Sequence, residues 1–172
     1  MCFNIAEGIN RGWVPSLTAT DAKTWYDNGV LASFKHFTKN NSFTFASSTP
    51  ITISTVGAGS LGTVTPDYTT FLANIAYNVT TPATALTQIL QQKYVALFMN
   101  SGLESFLNAR RTGVPALSFG GPGIGTGAAG LIPRRWLYPI DEINYNNANY
   151  LTVINSQFGG TDDVTKDTWL TK

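Results

Sequence analysis

The sequence predicts a mainly α-helical protein, with tetratricopeptide-like helix pairs and long irregular loops. Three observations carry this. Several stretches place apolar residues at steps of three and four, the period of an amphipathic helix. Two of these stretches lie close together near the start, joined by a short link, as in a helix pair. Between the later ones run segments rich in Ser, Thr, Gly and Pro that follow no helical period. The chain has 172 residues, the usual size of one domain. It is read as a single domain over 1–172, and as a piece of a longer protein.

The first helix is expected over 2–12, from Cys2, Ile5, Ala6 and Ile9. It starts without a cap, which suits a piece of a larger array. Gly12 ends it and Pro15 follows. Thr18 and Asp21 form a cap pair for a second helix to Phe37, with Ala22, Trp25, Tyr26, Val30, Leu31 and Phe34 as its buried side. No self-repeat of about 34 residues recurs, so this pair is one unit. If the pair belongs to an array, an exposed apolar patch is expected over 2–12 and 21–37. In 38–66, Phe43 and Phe45, and then Ile51 and Ile53, alternate with polar residues as short strands or extended segments do. Asp67 to Tyr77 reads as helix, with Phe71, Leu72, Ile75 and Ala76 on one side. Asn78-Val79-Thr80 matches a glycosylation acceptor, a pattern common by chance.

The densest stretch is Ile89–Gly113. Leu86, Ile89, Leu90, Lys93, Leu97 and Phe98 give the central helix its buried face, with Gln88, Gln91 and Gln92 opposite. Thr81-Pro82 leads into it, since Pro suits the first turn. Ser101 and Glu104 have capping-box spacing for a second helix near Gly102, whose apolar side is Leu103, Phe106 and Leu107. Arg110 and Arg111 suit its last turn, Gly113 its left-handed stop, and Pro115 its end. Farther on, Pro133 and Pro139 hold PRRWLYP extended. Asp141 and Glu142 open a helical turn, Tyr150 to Ile154 read as another helix, and Gly159-Gly160 closes it.

Composition narrows function by exclusion. Charged residues make up 12% of the chain and the net charge is +1, so nothing argues for nucleic acid as partner. Cys2 is the only cysteine, and it is read as a small core residue, with no disulfide and no zinc cluster. The only histidine, His36, lies near a helix end with no nucleophile pattern around it. Gly125, Gly127 and Gly130 give a formal G-x-G-x-x-G, but Pro115 and Pro133 deny it the flanking strand and helix, so it reads as a connector. Asp162, Asp163 and Asp167 lack the loop pattern of a calcium site and read as structural carboxylates. Arg110, Arg111, Arg134 and Arg135 are expected to tie helix ends to Asp141, Glu142 or the acidic tail. No catalytic constellation, metal set or cofactor motif stands out, so a binding protein is expected rather than an enzyme. Aromatic faces suit sugar rings, which makes Trp13, Trp136, Tyr138 and Trp169 the ligand-binding candidates.

Four segments in order carry a family resemblance. They are CFNIAEGINRGW with DAKTWYDNGVLASF, ILQQKYVALFMNSGLESFLNARRTGVP, IPRRWLYPIDEINYNNANY, and GGTDDVTKDTW. Together they resemble the C-terminal part of the SusD-like (SusD/RagB) family. The resemblance implies a non-catalytic outer-membrane lipoprotein that captures oligosaccharide, sometimes peptide. Its partner would be a TonB-dependent outer-membrane transporter (SusC-like), and this chain would pack against the remainder of the SusD-like chain. Two other readings stand beside it. One is a helical scaffold whose ligand site lies in residues outside this chain. The other is a carbohydrate-active enzyme.

Overall fold

A computed structural model describes residues 1–46, 51–55, 59–116 and 133–168. The formal glycine motif at Gly125, Gly127 and Gly130, and the candidate Trp169, lie outside the described residues. The chain falls into two compact units, Met1–Gly102 and Leu103–Lys172.

In the first unit, α1 (Cys2–Asn10) and α2 (Ala19–Thr38) form the expected pair. The cap is where the spacing places it. The Asp21 carboxylate accepts from the Thr18 backbone N–H at 2.8 Å and from its hydroxyl at 2.7 Å. Gly29 sets how closely the helices meet. A Cβ there would stand 2.8 Å from the Phe3 ring, so only glycine lets that ring lie against the backbone of α2. Phe3, Ala6 and Ile9 of α1 join Ala22, Tyr26 and Val30 of α2 in one buried cluster. Each large apolar side chain buried this way contributes about 1.5–3 kcal/mol. The Tyr26 hydroxyl donates to the Ile75 carbonyl at 2.7 Å, and burial pushes its pKa well above the usual tyrosine value.

The apolar patch expected over this pair is absent. Asn4 is the exposed position of α1, and α2 exposes Ala19, Thr20, Thr24, Asp27, Asn28 and His36 along with the scattered apolar Ala32 and Phe37. The reason is a third helix, α4 (Pro82–Ala96), which brings Ala85 and Ile89 into the same cluster. Cys2 is half-buried at the start of α1 rather than in the core.

Between these helices, β1 (Ile51–Thr55) and β2 (Gly59–Val64) pair antiparallel, Ile51 opposite Val64. Phe43 and Phe45 are not in strands. They pack with Tyr68 and Phe71 around Phe34, whose ring centroid lies 5.1–5.9 Å from all four. Helix α3 (Tyr68–Asn74) is capped by Asp67, which accepts from the Thr70 N–H at 3.0 Å. The Asn78 side chain is used in its own turn, accepting from the Thr80 and Thr81 N–H groups at 2.9 and 2.8 Å. Gln88, expected on the outer side of α4, is half-buried and clamps this turn. It donates to the Ala76 carbonyl and accepts from the Asn78 N–H, both at 2.8 Å.

The second unit begins with α5 (Glu104–Thr112), close to the expected start near Gly102, with Leu103 rather than Ser101 at the cap position and no side-chain cap from Leu103 itself. Leu103 already has helical angles, and its carbonyl takes the Leu107 N–H at 2.8 Å. Its buried positions are Asn108 and Ala109, whereas Leu103 and Leu107, expected to be covered, are exposed. Gly113 takes the expected left-handed stop at φ 71°. After the extended 133–139 segment, α6 (Ile140–Tyr145) and α7 (Asn147–Phe158) pack together, and Gly159 ends α7 at φ 67°. Among the described residues, no helix is long and apolar enough to cross a membrane.

Candidate functional site

The two prolines keep residues 133–139 out of a helix, and the tail holds that segment in place. The backbone N–H groups of Arg134 and Arg135 both donate to the Val164 carbonyl, at 2.7 and 3.2 Å. Arg135 is the centre of the arrangement. It forms an ion pair with Asp162, and the side chains are only 7% and 11% exposed. Its Nε donates to the Asp163 carbonyl at 3.1 Å and an Nη to the Trp136 carbonyl at 2.9 Å. Its guanidinium lies 4.1 Å from the Phe158 ring centroid and 5.5 Å from that of Tyr138, a cation–π arrangement. Asp162 also accepts the Tyr138 backbone N–H at 3.1 Å.

The remaining acids of the tail have structural partners too. Asp167 pairs with Arg134. Asp163 accepts the Thr165 N–H at 2.8 Å and its hydroxyl at 2.9 Å, and these bonds hold its pKa below the usual carboxylate value. Thus Arg134 and Arg135 tie to the acidic tail, not to Asp141 or Glu142; Glu142 accepts from Asn146 instead.

This lacing displays side chains rather than burying them. Trp136 is 85% exposed. With Tyr138, Pro139, Gln157, Phe158 and Arg110 it lines a cavity of about 280 Å³. The Tyr138 ring is steadied edge-on against Tyr150, at 5.9 Å between centroids. The cavity therefore offers a flat indole, a fixed phenol, an amide, the Thr168 side chain and two guanidinium groups, Arg110 and the ion-paired Arg135, with no carboxylate in its lining. Such a set suits a polar ligand with an apolar face.

The structure brings two of the four sequence candidates together, Trp136 and Tyr138. Trp13 lies in the first unit, in the loop after α1. It is 68% exposed, its ring rests 3.6 Å from where a Gly8 Cβ would be, and the Arg11 guanidinium is 5.7 Å away. Arg110, Gln157 and Phe158 were not singled out as ligand-facing. For Arg110 a signal existed. Consecutive helical residues point about 100° apart, so Arg110 and Arg111 do not share one role. Arg111 donates to Asn108 at 2.9 Å, while Arg110 turns to the cavity. The first unit has a second cavity of about 340 Å³, lined by Val30, Leu31, Phe45, Leu72 and Ile75 beside the Lys23–Asp27 ion pair. Its charges satisfy each other, and its one aromatic lining residue, Phe45, is half-buried.

Residues 1–139 match the family model described as starch-binding, associating with outer membrane. No curated protein matches the chain. Among solved structures, a SusD homologue from Bacteroides fragilis is 26% identical with a TM-score of 0.68, covering 99% of this chain and 34% of its own. A second SusD homologue from the same species is 25% identical with a TM-score of 0.59, covering 99% and 33%. An outer-membrane protein from Bacteroides vulgatus, 24% identical with a TM-score of 0.62 and covering 99% and 33%, supports the fold alone. The chain spans about a third of the length of these structures.

Proposed function

This chain belongs to the SusD-like family, and from that premise we propose that it is the C-terminal part of a non-catalytic protein that captures oligosaccharide at the outer membrane. In this reading the remainder of the SusD-like chain covers what is bare here, and a SusC-like TonB-dependent transporter receives the ligand. The observation that carries direct ligand contact is Trp136, exposed on a cavity that it shares with Tyr138. Stacking on an aromatic face is how a sugar ring buries its C–H side while its hydroxyls stay hydrogen-bonded.

A second reading draws on Phe98 and Met99 in the first unit and Leu103 and Leu107 in the second, all exposed. Apolar residues left bare mark surfaces for protein contact, as expected of a scaffold whose ligand site lies elsewhere. One titration separates the two. A panel of soluble oligosaccharides, neutral glucans first, is added while the Trp136 indole N–H is followed by NMR. Direct capture requires that the signal move with at least one glycan, and that Trp136→Ala weaken that glycan about tenfold, as loss of an aromatic anchor does. Unchanged binding in Trp136→Ala removes Trp136 from the site, and a panel in which no glycan binds leaves the scaffold reading.

A further inference from the structure

Resting on the glycan reading of this cavity, we infer that it takes a sugar bearing a carboxylate, a uronic acid, and that Arg110 recognises the charge. Three guanidinium groups belong to this region. Arg134 is neutralised by Asp167 and Arg135 by Asp162. The Arg110 side chain has no hydrogen bond or ion pair among the described residues, and its Nε is buried without an acceptor. A buried donor with no partner is costly and rare in folded proteins. A carboxylate in the cavity that Arg110 lines gives the guanidinium its counter-ion, and a small turn of the side chain presents two parallel N–H groups to the two oxygens.

The surroundings select the kind of carboxylate. No acidic side chain lines the cavity to compete for Arg110 or to repel an anion. The indole of Trp136 lines the same cavity and offers a face for the C–H side of a pyranose. The Gln157 amide supplies a donor and an acceptor for hydroxyls. The volume of about 280 Å³ lies just under the usual range of ligand sites, which suits one ring rather than a long segment. An uncharged ring leaves Arg110 unanswered, and a free carboxylate leaves the indole unused. A uronate uses both.

The test is an NMR and calorimetric titration of the 172-residue chain with trigalacturonate and with its methyl ester, which keeps the rings and removes the charge. The acid is expected to bind about tenfold more tightly than the ester. Arg110→Gln should erase that preference, and Arg110→Lys should restore it in part, since lysine keeps the charge but not the fork. Both variants are first checked by urea midpoint. Equal affinity for acid and ester, or a preference that survives Arg110→Gln, overturns the uronate assignment. So do acetate-induced shifts at Arg110 matching those of the trisaccharide. In each of those cases the capture reading still stands if neutral glucans move the Trp136 indole signal. If no glycan, charged or neutral, moves it, both fall.

Discussion

The two units are held together by different physics. In the first, stability comes from apolar burial. Ile89 is wholly buried, Tyr26 is 1% exposed, and Phe34 sits among four aromatic rings. In the second, α7 buries only Ile154 and Phe158, and α6 buries nothing. There the extended 133–139 segment is fixed by charge and backbone hydrogen bonds centred on Arg135. In that core the rings are turned on one another. A polar lacing fixes the backbone while leaving Trp136 free, which is what a ligand platform needs.

This difference can be broken at either end. Arg135→Met should have the largest effect, a loss of about 3–5 kcal/mol, because it leaves Asp162 charged and buried with no counter-ion. The double variant Arg135→Met with Asp162→Leu should recover part of that loss. It cannot recover all, since Arg135 also holds the Asp163 and Trp136 carbonyls. Urea denaturation of the single and double variants checks this, and a double variant no more stable than the single one removes the ion pair as the organising interaction. Ile89→Ala comes next, at about 2–5 kcal/mol through lost burial and a cavity. Its loss should appear in the amide-exchange protection of α1, α2 and α4. Protection lost only in α4 would mean that the three helices do not share one core.

What the sequence made legible follows the same divide. Local signals were readable: the Thr18–Asp21 cap, Pro82 at the start of α4, and Gly113 and Gly159 as left-handed stops. Ser101 and Glu104 have the same spacing as Thr18 and Asp21, yet the cap position of α5 falls on Leu103. Met99 at φ 58° and Gly102 at φ 51° bend the chain just ahead, and Leu103 enters the helical region first. Spacing states what a cap needs, not whether the backbone arrives in register. Contacts between distant residues were not readable. Phe43 and Phe45 alternate like a strand, and only the positions of Phe34 and Tyr68 turn them into core. Arg135 had Asp141 and Glu142 close by in sequence and pairs with Asp162. Trp136 and Tyr138 were legible as aromatic candidates, whereas the cavity that joins them to Arg110 and Gln157 depends on where α7 and the tail come to rest.

The smallest expected effect sharpens the comparison through pH. Asp21 and Asp67 in the first unit, and Asp163 in the second, each have a pKa below the ordinary aspartate value of 3.8. For Asp21 and Asp163 the chief cause is a backbone N–H donated by a threonine; for Asp67 it is the Thr70 hydroxyl. A depressed native pKa means that the folded state favours the ionised form. The stability this lends is fully present above 3.8 and is lost as pH falls through the lower native value. All three groups are solvent-accessible, so each effect is small. Asp163 differs in one respect: Lys166 and Arg135 lower its pKa further, by charge. Salt screens that part and spares the hydrogen bonds. Carboxyl carbon NMR titration should therefore find all three native pKa values depressed, with only that of Asp163 rising when salt is added. An Asp163 titration indifferent to salt would show that the Arg135 lacing does not extend to this turn. The second unit would then be held there by the same local capping bonds as the first.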